Sequence, residues 1–227
     1  MNTEVLLKVR ERGYWRILMR PTAYLPDLFP SLRELEEAVR SCIVRIRGWD
    51  YPHWEEPARL NDSICASVDW NHHKEYWRLY KSGQFIHYFA MREDWLREDT
   101  GVRSDDVEPS SILGYETTVY TILEIFLFAG RWAAKAGLGP RVRLELNLYG
   151  PAGRRLYASD FDKMQFRDRI AEAANFNHAD EYDPQVLIAQ PPDNARPVLR
   201  RLFELFHWDA PDELLQDAVH KAAAHRL

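Results

Sequence analysis

Residues 64–91 read ICASVDWNHHKEYWRLYKSGQFIHYFAM, and how this stretch folds decides the architecture of the chain. Residues 75–81 and 84–91 alternate side chains on either side of Ser82 and Gly83, a pair suited to a tight antiparallel turn. The spacing predicts a hairpin with Lys81 opposite Gln84, Tyr80 opposite Phe85 and Arg78 opposite His87, so that rings meet across the strands and hold the register. Residues 64–70 add a third strand, entered through Asn71, His72 and His73. Trp70, Trp77, Phe85 and Phe89 each carry a large apolar area, which assigns them first to a core.

Outward from the hairpin, residues 14–20 alternate Trp15, Ile17 and Met19 with Tyr14, Arg16, Leu18 and Arg20, the pattern of a half-buried strand that Pro21 ends. Ser31 and Glu34 form a capping box, and Leu32, Leu35 and Val39 give the helix behind it an apolar stripe. Residues 42–47 read as a strand stopped by Gly48, followed by the aromatic loop GWDYPHW at residues 48–54. Residues 92–109 are rich in charge and read as an exposed excursion. A long helix is expected from Ser110 or Ser111 to Ala136, apolar on nearly all sides over residues 119–129 except for Thr121 and Glu124. Gly137, Leu138 and Pro140 mark its end. Glu124 in such surroundings calls for an arginine or backbone partner.

Residues 141–149 form the cleanest alternating strand, with residues 155–158 expected to return beside it as a second hairpin. Ser159 and Asp162 suggest a further helix start, and residues 185–189 a short strand. Two helices at residues 194–206 and 209–224 complete the chain. Asp212, Glu213 and Asp217 near the start of the second oppose a DNA-reading role. The expected fold is therefore α+β, a mixed, largely antiparallel sheet packed on a long buried helix, with a C-terminal helical pair. Residues 1–190 would form the core domain and residues 191–227 a helical hairpin packed on it.

A net charge of −5, from 35 acids against 30 bases, argues against a protein that grips nucleic acid through its overall charge. Cys42 and Cys65 lie in apolar runs and read as reduced, buried thiols. No run is apolar and long enough for a signal peptide or a membrane span, which sets the expectation of a cytoplasmic protein without membrane association. Phosphate-loop, dinucleotide-binding, nucleophile-elbow, HExxH and paired CxxC patterns are missing, so no cofactor is implied.

Three functional readings remain. The leading one is a recognition or accessory module that binds a protein, ligand or nucleic-acid partner, or a second copy of itself, through the aromatic loop and the hairpin. Its residues are Trp49, Asp50, Tyr51, His53 and Trp54 together with Arg45, Arg47, Arg78, Arg141 and Arg143. The second is a metal-dependent hydrolase or nuclease centred on Asp69, His72, His73 and Glu75, which His53 and His87 could join. Adjacent His72 and His73 point to opposite faces of a strand, which weakens that set. The third is a nucleic-acid surface in which Arg16, Arg20, Arg45, Arg47, Arg78, Arg141 and Arg143 line one sheet face beside Tyr14 and Tyr80.

Overall fold

The computed structural model describes residues 3–98, 107–158 and 169–224. The helix start expected at Ser159 and the middle of the excursion expected at 92–109 lie outside them.

The framework is a seven-stranded antiparallel sheet in the order β2-β3-β4-β5-β1-β7-β9. Its strands are β1 (Tyr14–Pro21), β2 (Ala58–Arg59), β3 (Ser63–Trp70), β4 (His73–Tyr80), β5 (Phe85–Ala90), β7 (Val142–Tyr149) and β9 (Asn175–Tyr182). A separate parallel pair joins β6 (Ile112–Gly114) to β8 (Arg155–Tyr157). The helices are α1 (Thr3–Val9), α2 (Leu32–Arg40), α3 (Tyr115–Ala136), α4 (Pro184–Ala189), α5 (Pro191–Glu204) and α6 (Asp212–Ala224), with a 3-10 helix at Arg92–Glu98. Strand alternation turns Trp15, Ile17 and Met19 of β1 and Val142, Leu144, Leu146 and Leu148 of β7 onto one face, all buried. α3 lies against that face, and α4, α5 and α6 cover α3, so the apolar side chains of the C-terminal helices belong to the same continuous core. Gly130 is required where α3 meets α4: a Cβ there would stand 2.7 Å from the Leu187 carbonyl oxygen. α3 ends at Gly137, whose φ of 62° is the left-handed cap that the sequence announces.

Five local expectations are corrected. The central hairpin closes through a three-residue loop, with the Tyr80 N–H donating to the Gln84 carbonyl (2.9 Å) and Gly83 at φ +79°. Leu79 therefore faces Phe85 and Trp77 faces His87, one residue from the expected register. Because side chains alternate, that single step moves His87 onto the buried face beside Glu75, Trp77 and Phe89. Residues 42–47 make only the single bridge Val44–Tyr51, because the chain doubles back at once to form the neck of the aromatic loop. β8 does not pair with β7, since β1 and β9 already occupy both edges of β7. α3 starts at Gly114 rather than at Ser110 or Ser111, because residues 112–114 are held as β6 and the Glu93 carboxylate accepts the Gly114 N–H at 3.0 Å. Residues 185–189 lie in helix α4: Asp183 caps it by accepting the Gln185 N–H (2.7 Å) and Pro184 opens it, a start signal that outweighs a short apolar run.

One fully buried ion pair fastens the lower part of the sheet. Arg154 donates to both oxygens of Asp94 at 2.6 Å, and Asp94 also accepts the Gly13 and Ser110 N–H groups at 3.0 and 2.8 Å. Every lone pair used is directed, which is the condition under which a buried charge pair is tolerated. The clasp sets where the 3-10 helix leaves β5.

Gly83→Ala is expected to destabilise the protein by at least about 1 kcal/mol, because a left-handed backbone penalises any Cβ and this one would meet the Leu138 side chain at 2.5 Å. Urea denaturation checks this, and an unchanged midpoint would contradict the three-residue loop.

A candidate ligand-binding cleft

Glu75 sits on the inward face of β4, 2% exposed. Burial alone drives a carboxyl toward its neutral form, so the surroundings must supply a donor or positive charge. These come from three segments. The loop provides the His53 backbone N–H, 2.7 Å from Oε1. Positive charge comes from two imidazoles: β4 itself sets His73 with Nε2 2.9 Å from Oε2, and β5 sets His87 with Nε2 3.5 Å from Oε1, both as ionic contacts outside hydrogen-bond geometry. Burial pushes the Glu75 carboxyl up, and the imidazoles of His87 and His73 outweigh it, holding the group below the usual carboxylate range. His87 is gripped from its other side by the Tyr51 hydroxyl, 3.4 Å from Nδ1, and the His53 carbonyl accepts the Trp77 indole N–H at 2.9 Å. The loop is thus tied to the hairpin by hydrogen bonds on both sides of His53.

Glu124 of α3 is paired bidentately with Arg47, Nε standing 3.1 Å from Oε1 and Nη2 engaging Oε2. This is the arginine partner that the sequence calls for. Burial still raises the Glu124 carboxyl, against the opposing pull of Arg47. The Arg47 guanidinium lies 4.9 Å from the Trp49 ring centre and 5.9 Å from that of Tyr120, so its position is set by stacking as well as by charge.

Between the loop, the ends of β4 and β5 and the first turns of α3 is a cavity of about 60 Å³. Trp15, Trp49, Tyr51 and Phe89 form its aromatic walls, while Arg47, His73, Glu75, Arg92, Glu93 and Thr117 bring polar groups to it. Glu93 is raised by burial, against the N–H groups of its own backbone and of Gly114. The arrangement can surround a small polar group with aromatic surface and several hydrogen-bonding partners, a lining like that of a small-molecule site in a cavity well below the usual volume.

The structure gathers some of the residues singled out in the sequence and separates others. Trp49, Asp50, Tyr51 and Arg47 line the cavity. His53 acts mainly through its backbone, its ring packing edge-on to Trp70 with centres 4.5 Å apart. Trp54 stacks on Trp77 as part of the core edge. Arg45 points outward to pair with Asp50. Arg78 and Arg143 stand on the opposite face of the sheet with Arg16 and Arg20, and Arg141 precedes β7 with its carbonyl accepting the Thr22 N–H. On that outer face Arg143 and Arg16 share Glu145, at 2.8 and 4.0 Å, and Arg78 reaches Asp62 at 3.5 Å, so much of its positive charge is compensated. Arg45 and Arg47 do not belong to that face at all. Of the four residues in the metal alternative, His73 and Glu75 meet, but Asp69 turns to Lys8 and Lys74 at 3.1 and 3.0 Å on the other side of β3. Among the described residues, no three His, Cys, Asp or Glu side chains are grouped to hold a metal ion.

Arg92, Glu93 and Thr117 were not singled out by sequence reasoning. The only local hint is Trp95, which buries the 3-10 helix against Val5, Val9 and Ala90 and so holds a charge-rich stretch against the protein. No protein-family model, curated protein or solved structure matches this chain.

Glu93→Gln keeps an acceptor for the Gly114 N–H and removes the ionisation. A carboxyl raised in the folded state binds its proton more tightly there than when unfolded. Its contribution is therefore full below an unfolded pKa of about 4.3 and lost as pH rises above it. The variant is expected to gain melting temperature over the parent as pH rises above about 4.3, by an amount that grows until pH passes the raised folded-state value and then levels off. Parallel melts that coincide throughout would contradict a buried carboxyl held above its usual range.

Proposed function

We propose that this chain is a ligand-recognition module whose site is the cleft where the loop of residues 48–54 closes over β4, β5 and the first turns of α3. The observation that carries the reading is the polar cluster on Glu75, built from loop, strand and neighbouring strand, on the wall of an aromatic-lined cavity. Apolar residues of similar volume would often serve stability as well as such a cluster or better, so its placement at a cavity favours a binding role. Cys42 and Cys65 are both buried and neither forms a disulfide, which supports a reducing, intracellular setting.

A second reading, acid–base catalysis, is favoured by one feature. The partly exposed His73 imidazole is backed by a buried carboxylate, the usual way a general base is oriented. It shares the cleft with the first reading. The outer-face nucleic-acid surface draws less support, because phosphate contacts need a locally unpaired basic field and Glu145 and Asp62 occupy much of it.

Thermal-shift titration of a panel of small molecules tests the reading. Compounds that stabilise the parent are expected to bind about tenfold or more weakly to Trp49→Ala, the cost of truncating an aromatic anchor. A panel response identical in parent and variant would contradict the cleft as the site.

A further inference from the structure

Resting on that reading of the cleft, we infer that its ligand presents an oxyanion, a carboxylate or phosphate group, to Arg92 and Arg47. Arg92 lies where β5 passes into the 3-10 helix and lines both the cavity and the adjoining recess beside Gly48 and Tyr120. Its Nε is shielded from solvent and has no acceptor among the described residues. A shielded cationic donor without an acceptor is costly, and a ligand oxygen removes the cost. Arg47 is preorganised beside it: Glu124 takes one edge of the guanidinium, Trp49 and Tyr120 stand near it, and Nη1 has no acceptor among the described residues.

The rest of the wall has the same polarity. Gly114 gives its N–H to Glu93, and the following N–H groups of the first turn of α3 have no acceptor within the helix and carry its partial positive charge. Thr117 adds a hydroxyl. The acids nearby are already engaged: Asp50 by Arg45, Glu75 by His73, His87 and the His53 N–H, Glu93 by Gly114, while Glu116 has an interaction of its own. What remains uncommitted among the described residues is a set of donors. An incoming cation would meet two guanidinium groups; an oxyanion meets complementary hydrogen-bond donors. A cavity of about 60 Å³ admits only a small group, leaving the remainder of the ligand along the Trp49 and Tyr120 rim.

The test is a titration of the full-length chain with inorganic phosphate and, separately, acetate at constant ionic strength, followed by proton–nitrogen NMR at the arginine Nε and tryptophan indole positions. Saturable shifts at Arg92 and Trp49 are expected from one or both anions, identifying the headgroup. Arg92→Gln should weaken binding about tenfold or more, the loss of one charge-assisted hydrogen bond, with Arg92→Lys intermediate. No saturable shift in the parent, or an affinity unchanged in Arg92→Gln, would overturn the inference, and the parent titration decides even if a variant fails to fold. Neutral or cationic compounds whose binding falls in Trp49→Ala and ignores Arg92→Gln would overturn the oxyanion while keeping the cleft. Indifference of every compound to Trp49→Ala would remove the cleft itself.

Discussion

A carboxylate placed on the inward side of a sheet has to be given a donor or positive charge, and Glu75 is the group around which this requirement arranges the molecule. Its oxygens lie within reach of a loop amide, an imidazole on its own strand and an imidazole on the next. Three chain segments, far apart in sequence, are thereby fixed relative to one another. The Val44–Tyr51 bridge closes the neck of the aromatic loop, and the His53 N–H to Glu75 joins the Trp77 indole bond in holding the loop to the sheet. Removing donors from around a buried charge costs far more than the pair contributes when intact, so the arrangement behaves as a constraint rather than as a reserve of stability.

Two further charge pairs fix the borders of the same cleft. Arg47 and Glu124 join the loop neck to the middle of α3, and Asp94 and Arg154 set the path of the chain after β5. Because Arg92 and Glu93 directly precede Asp94, the clasp places them at the start of α3. Glu93 then takes the Gly114 N–H, so the helix begins where its end faces the cavity. The outer face of the sheet contrasts with this. Its arginines and tyrosines share surface with Glu145 and Asp62, and α1 packs Val5 and Val9 with Ala90 and Trp95 over part of it.

The layers of the fold were legible because they depend on period. The alternation in residues 14–20 and 141–149 and the nearly continuous apolar run of residues 119–129 yield β1, β7 and α3 directly. The cleft was legible in part. The aromatic loop and Glu124 with an arginine partner could be read from chemistry, whereas the joining of His87 to Glu75 depends on one residue of hairpin register, fixed by the left-handed Gly83. Asp69 and Glu75 look like neighbours in the sequence, yet the β3–β4 pairing puts Asp69 beside Lys74, on the side away from Glu75. Arg92, Glu93 and Asp94 were hidden because charged residues ordinarily mark an exposed stretch. Only long-range partners such as Arg154 and Gly114 reverse that expectation, and no local pattern encodes them.

The most direct test of the central claim is amide hydrogen exchange in Glu75→Ala, with the amides of β7 as an internal reference for global stability. If the Glu75 carboxylate holds the loop, exchange at His53 and across residues 48–54 will accelerate well beyond any change in β7. Equal protection of the loop in parent and variant, relative to β7, would show that the loop is held by its packing alone and would contradict the account.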